Sequence, residues 1–337
     1  MKRAIIILVL CLPLFAATAQ NTKNEASTIY VKPGATGDGS SWENPQNLQS
    51  ALQTANFGQE IWVAAGTYLP TDSDDRNISF ILSDGVAVFG GFSGTEFSKE
   101  QRDWLNNPTV LSGEIGVEGY QDNSYTIVYT EDVSRKTILD GFTITGANGN
   151  KKVSEGSPAS SGAWFNLSHT KTSDPIIRNC TFENNRAYYG AAMYNCAADG
   201  GSSAVIDACK FIKNIAKFDG GAIVNNGTNG RCNISILYSK FYKNEAYYGA
   251  SILNKAEATG EASPYIKNVQ FTENLAYMNG SPIYNLRTGE GACTPIMVAC
   301  VSERNKESVE APESTQIRSS PAKQKPKRTI TISPTRN

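Results

Sequence analysis

Histidine is almost absent from this chain of 337 residues, with His169 standing alone. That excludes an imidazole metal cluster and leaves at most one Ser-His or Cys-His pair. Neither sign of charge is in excess, at 31 Lys+Arg against 32 Asp+Glu, which excludes a broadly basic nucleic-acid binder. No long apolar run follows the N-terminal segment, so a polytopic helical membrane protein is excluded too. Cysteine is missing between Cys11 and Cys180. What is plentiful is apolar and aromatic: 40% hydrophobic residues, 15 Tyr and 13 Phe, more than a disordered chain carries.

The N-terminus reads as an address. Met1, Lys2 and Arg3 precede an apolar stretch from Ala4 to Ala16, and Ala17-Thr18-Ala19 forms a small-x-small cleavage site. Residues 1–19 are expected to be a secretory signal peptide and 20–27 a short linker, leaving no transmembrane segment after cleavage. The mature protein is then extracytoplasmic, secreted or held at a cell surface or outer membrane. Six cysteines remain: Cys180, Cys196, Cys209, Cys232, Cys293 and Cys300. An even number in an exported chain invites disulfides, but their spacing alone fixes no connectivity.

A repeat dominates the rest. Phe182-x-x-Asn185, Phe211-x-x-Asn214, Phe241-x-x-Asn244 and Phe271-x-x-Asn274 recur at spacings of 29, 30 and 30 residues. Alanine follows each Asn by two (Ala187, Ala216, Ala246, Ala276), then glycine (Gly190, Gly220, Gly249, Gly280). A small-small-apolar-x-Asn run ends each unit, closing on Asn195, Asn225, Asn254 and Asn285, with an earlier copy ending at Asn166. Isoleucine stands five residues before each Phe: Ile177, Ile206, Ile236 and Ile266. The apolar stretches are short, alternating and rich in β-branched and aromatic residues, so they predict strands. Two or three short strands per coil, repeated in register, predict a parallel β-solenoid in which like side chains stack one rung apart. The Phe and Ile columns face inward, and the Asn columns form structural ladders at corners. Cys180 and Cys209 fall in one column with Ser239 and Val269, which suits buried thiols, with a rung-to-rung disulfide as the alternative. Cys196 and Cys232 lie on adjacent coils and could pair.

Upstream the coils are irregular. Strands are expected at Glu60 through Tyr68, Gly85 through Phe92, Thr126 through Tyr129 and Thr137 through Ile144. Leu48, Ala51, Leu52 and Ala55 fall at helical spacing, predicting a short amphipathic helix that caps the first coil. From Glu303 the chain turns polar, and residues 306–337 are expected to be a disordered basic tail following a domain at 28–305.

This pattern resembles the right-handed parallel β-helix proteins of the pectin-lyase-like superfamily. Within it, the pattern is similar to secreted and surface proteins bearing the polymorphic-outer-membrane-protein repeat, F-x-x-N plus G-G-A-[I/L/V], which Gly220-Gly221-Ala222-Ile223 matches. The resemblance implies an all-β right-handed solenoid and leaves activity open, since the fold hosts adhesins, lyases and hydrolases alike.

Relatives that hydrolyse pectin carry Asn-Thr-Asp, Asp-Asp, Gly-His-Gly and Arg-Ile-Lys motifs. None occurs here, and no catalytic residue is assigned. His169 sits in a polar loop. Acids in the regular coils occupy different columns. Asp72, Asp74 and Asp75 could hold calcium through oxygen ligands but lack the glycine and distal glutamate of a calcium hand, so a solvated turn and no cofactor are expected. Two outward aromatic columns are candidate ligand contacts: Phe165, Tyr194 and Tyr284 before the corner Asn, and Tyr188, Tyr247 and Tyr277 after the repeat alanine. Covering loops, or simple cross-strand stabilisation, are the alternative. The expectation is an exported, non-catalytic β-helix, adhesin-like or glycan-binding, with a polysaccharide or surface protein as partner and no nucleic acid. A polysaccharide lyase or glycoside hydrolase acting on an acidic or plant or host polysaccharide is the alternative.

Overall fold

The structure, a computed structural model, describes residues 28–197 and 200–308. The expected leader, the linker and the chain beyond 308 lie outside the described residues. Alternation within each short strand sends every second side chain inward, and the repeat length brings equivalent strands into parallel register. One coil runs through Ile176–Arg178, Thr181–Glu183, Arg186–Tyr189 and Met193–Ala197. Each segment pairs only with its counterparts in the coils above and below, giving four faces of nine, eight, six and seven parallel strands. The chain is therefore a parallel β-helix, with connections of the hand that parallel strands almost always take. We number the faces one to four in that order around the coil.

Matching positions do lie over one another. Phe182, Phe211, Phe241 and Phe271 are in register, fully buried, and stacked with ring centroids 5.1, 4.6 and 5.1 Å apart. Ile177, Ile206, Ile236 and Ile266 form a second inward column. Single residues in the left-handed conformation turn the chain between faces: Asn179, Ala208 and Tyr238 at one corner, Asn184, Lys213 and Lys243 at the next. The ladder continues through these corners, as Asn179 N donates to Asp207 O at 3.1 Å and Asn184 N to Ile212 O at 3.1 Å. These N–H groups therefore stay paired through the bend.

Both asparagine columns form amide ladders. Asn185 Nδ2 donates to Asn214 Oδ1 at 3.0 Å, Asn214 to Asn244 at 3.0 Å, Asn244 to Asn274 at 2.9 Å, and Asn274 to Asn305 at 2.8 Å. Each amide also bonds backbone of the coil before, as Asn214 Nδ2 does Phe182 O at 2.9 Å. The second ladder joins Asn166, Asn195, Asn225, Asn254 and Asn285 over 2.8–3.3 Å. A buried amide without such partners would cost more than it returns, so the repetition of Asn is what makes each Asn tolerable.

Cys180 and Cys209 are buried thiols in the core, directed at backbone carbonyls. No disulfide joins Cys196 to Cys232 or any other pair among the described residues. The expected helix forms at Leu48–Thr54, its first turn capped by Asn47 Oδ1, which accepts from Ser50 N at 2.8 Å. Leu48, Ala51 and Leu52 bury against strands Thr28–Val31, Glu60–Ala64 and Phe80–Ile81. The solenoid runs past the expected boundary at 305: Lys306–Glu307 is a strand paired with Leu275 and Ala276. Backbone pairing there outweighs the polar composition that suggested a tail.

Candidate functional site

Strand alternation aims Tyr129, Phe165, Tyr194, Val224, Leu253 and Tyr284 outward from face four, in unbroken register. Their rings stack as expected, Tyr129 on Phe165 at 6.0 Å and Phe165 on Tyr194 at 5.6 Å. The column does not meet solvent along its length. Phe165 and Tyr194 are 1% and 0% exposed, and with Val224 and Leu253 they form a second apolar cluster outside the coil. The reason is an insertion at 150–161 that folds over the face: its Glu155 Oε1 accepts from Tyr194 Oη at 3.1 Å. Phe165 and Tyr194 are therefore corrected from surface contacts to the floor of a covered cluster. Tyr284 remains half-buried at the edge, 5.2 Å from Tyr248.

The other three aromatics lie on face three. Tyr188 packs on Phe218 at 5.6 Å, and Tyr247 on Tyr277 at 5.9 Å. Tyr277 is only 8% exposed, and its hydroxyl donates to Glu245 Oε2 at 2.8 Å. The six predicted residues thus divide between two faces and do not form one stripe.

What the insertion assembles is a polar cluster that the repeat gave no reason to expect. Lys255, outward on face four, donates to Glu155 Oε2 at 2.8 Å and lies 3.5 Å from Glu257 Oε1. Asp219 stands nearby, at the end of face three, in register with Tyr189 on one rung and Tyr248 on the next. Burial pushes the Asp219 carboxyl up to about 7; the Glu155 carboxylate adds to this and the Lys255 ammonium opposes it. Burial works to lower Lys255, but Glu155 outweighs it and holds the amine above its ordinary value. Tyr194 also accepts from Asn226 Nδ2 at 2.9 Å, so its hydroxyl is fixed on both sides. Burial raises Tyr189 and Tyr284 as well, and the neighbouring carboxyls add to it.

The acids were expected to stay apart because their columns differ. They meet because Glu155 arrives from an irregular loop, outside any column. Two signals in the sequence mark the place: Asp219 interrupts a Tyr189–Tyr248 column, and Lys255 follows the uncharged Leu167, Cys196 and Asn226 in another. Chemically, the cluster offers half-buried tyrosine faces beside a carboxyl that is half protonated near neutrality and a charged amine. Such a set can stack sugar rings, bond hydroxyls as donor and acceptor, and exchange a proton.

Other charged groups have structural partners. Asp140, with a side chain 1% exposed, is held by Arg102 Nη2 at 2.8 Å, by Arg178 Nε and by Asn179 Nδ2 at 2.9 Å. Both arginines, with Phe89, Lys99, Glu100 and Trp104, line a cavity of about 230 Å³. His169 is a loop residue, 62% exposed in its side chain, with Nδ1 3.4 Å from Glu131 Oε1. Asp132 accepts from His169 N at 2.7 Å and Lys171 N at 3.2 Å. Asp75 caps its own turn through Asn77 N at 3.0 Å, and Asp72 and Asp74 are exposed. Among the described residues, no three His, Cys, Asp or Glu side chains are placed to hold a metal ion. No described helix is long and apolar enough to cross a membrane.

No family model matches the chain, and no curated protein does. Solved structures overlap it loosely. A rhamnogalacturonan lyase aligns over 83% of this chain and 69% of its own at 13% identity and a TM-score of 0.43. Pectate lyase Pel9A aligns over 81% and 78% at 12% identity and 0.36. A pectin methylesterase from Aspergillus niger aligns over 79% and 86% at 16% identity and 0.30. Overlaps of this size carry no argument about chemistry.

Proposed function

We propose that this chain is an extracytoplasmic β-helix that binds a polysaccharide at the junction of faces three and four. Its extracytoplasmic place rests on the leader expected at 1–19. The observation that carries the binding is the grouping of half-buried Tyr189, Tyr248 and Tyr284 around Asp219, Lys255 and Glu155. Tyrosine faces suit the apolar faces of sugar rings, and a carboxyl poised near neutrality serves hydroxyls as donor or acceptor. Such a site, raised on a rigid stack of coils, needs little reorganisation on binding.

A second reading has its own observation. Three carboxyls, Glu155, Asp219 and Glu257, surround one lysine, and the raised Asp219 is matched to general acid–base work at neutral pH. That favours a lyase or glycosidase over a pure binder. One experiment separates them. The full-length protein is titrated with a panel of neutral and acidic polysaccharides, and each bound one is assayed for new reducing ends and unsaturated sugars. Binding lost in Tyr284→Ala without any product supports the binder. Product formation abolished by Asp219→Asn with binding retained supports the enzyme. No binding to any member of the panel overturns both.

A further inference from the structure

The corner between faces two and three has a different character. Its left-handed bend is occupied on successive rungs by Asn184, Lys213 and Lys243. Just before it, Lys210 and Lys240 are exposed and directly in register. Just after it, Arg186, Ile215 and Glu245 are in register. Asn184, Arg186, Lys213, Ile215, Lys243 and Glu245 line a groove of about 310 Å³ together with Tyr120, whose ring lies 4.5 Å from the Arg186 guanidinium; Lys210 and Lys240 stand on the flanking strand outside it.

Like charges on adjacent rungs repel, and a repeat protein pays for such stacking at every coil. The acids here cancel it only in part. Glu273 is shared between Lys243 at 3.5 Å and Arg304 at 2.8 Å, and Glu245, in the groove wall, is the acceptor of Tyr277 Oη at 2.8 Å. Glu183 lies opposite Ile212. Among the described residues, Arg186, Lys210, Lys213 and Lys240 make no ion pair.

We propose that this groove binds a glycan bearing tetrahedral oxyanions, sulfate or phosphate, laid along the solenoid axis. Rung spacing sets Lys213 beside Lys243, and Lys210 beside Lys240, along the axis, which suits a polymer carrying successive anions. A sulfate or phosphate ester presents three acceptor oxygens, so one group can meet ammoniums on two adjacent rungs, and lysine holds such anions as a point charge. The Tyr120 ring beside them offers a surface for a sugar. This site is separate from the tyrosine–Asp219 face and does not rest on it.

The test is retention of the full-length protein on dextran sulfate and on phosphorylated mannan, with polygalacturonate, neutral dextran and single-stranded DNA alongside. Binding to at least one of the first two, weakening as salt rises, is expected, and which one identifies the anion. The Lys213→Asn/Lys243→Asn variant keeps a residue type suited to the left-handed bend, as Asn184 does, and should bind roughly tenfold more weakly while melting no lower than wild type. Lys210→Gln/Lys240→Gln on the flanking strand should weaken binding as well, and Lys267→Gln on face one should not. Tyr284→Ala should leave this binding unchanged. Equal or better retention on polygalacturonate, neutral dextran or DNA, or wild-type binding by both double variants, would overturn the proposal.

Discussion

The later coils and the earlier ones solve the same packing problem in opposite ways. In the later half the inward position on face two is Phe182, Phe211, Phe241 and Phe271; in the earlier half the same column holds Tyr68, Leu111 and Ile144. The later half fills its corners with asparagine ladders. The first ladder begins at Asn185, whose Oδ1 accepts from Ala147 N at 3.0 Å, with no amide in the coil above. In place of ladders, the earlier half uses single hubs. Asp140 gathers Arg102 and Arg178, and Trp42 Nε1 donates to Glu96 O at 2.9 Å across a long excursion. Repetition spreads stability over equivalent rungs, whereas a hub concentrates it. The candidate site lies where the two styles meet: Glu155 comes from an irregular insertion, Asp219 and Lys255 from regular coils.

The largest effects should test that contrast directly. Phe211→Ala opens a cavity between two stacked rings and should cost about 4 kcal/mol in denaturant unfolding, while Ile144→Ala in the earlier half should cost about 3. Asp140→Ala leaves the buried Arg102 guanidinium without its carboxylate, while Arg178, 40% exposed, turns to solvent, and should cost about 3 kcal/mol; a loss under about 1 would mean the hub is ornamental. Asn214→Ala takes the shared acceptor of the Asn185 N and Nδ2 groups, leaving the Asn185 amide with Ile144 O alone, removes a donor from the Phe182 carbonyl, and should cost about 2–3 kcal/mol. If mid-ladder and hub substitutions changed only local hydrogen exchange, the contrast would fail.

Smaller effects come from protons. The Asp219 carboxyl has a folded value near 7 against an ordinary 3.8, so the folded state holds this proton more tightly than the unfolded chain. Its contribution is fully present below about pH 4 and is lost as pH rises through 7. Asp219→Asn should flatten that decline, by on the order of 2 kcal/mol after allowing for screening, in melting curves taken from pH 4 to 8. Asp132 runs the other way. Slight burial would raise it, but bonds from the Thr170 hydroxyl and from His169, Thr170 and Lys171 N–H groups bring it down to about 2. Its stabilisation is present above pH 4 and lost on acidification through 2, so Asp132→Asn, which also suits the left-handed backbone there, should lower stability at neutral pH by about 0.5 kcal/mol and change it little near pH 2.

Much of the fold was legible because a repeat states each contact several times. The Phe, Ile and Asn columns predicted inward stacks and ladders that lie where expected, and the helix at Leu48–Thr54 followed from its spacing. The site was legible only in part. Alternation correctly sent Phe165 and Tyr194 outward, yet outward from a strand is not the same as exposed: Phe165 lies between the rings of Tyr129 and Tyr194, and Glu155 of the 150–161 insertion bonds Tyr194. Glu155 lies in no column and left no periodic trace.

Sequence alone determined the period, the side of the coil each repeated residue takes, and the exclusion of an imidazole metal cluster, because these depend on spacing and composition. Only the tertiary structure decided which outward residues stay wet, that Lys255 meets Glu155 100 positions away, and that Asp219 titrates near neutrality. Those outcomes depend on where a non-repeating loop comes to rest and on the solvent it removes, and local pattern holds no information about either.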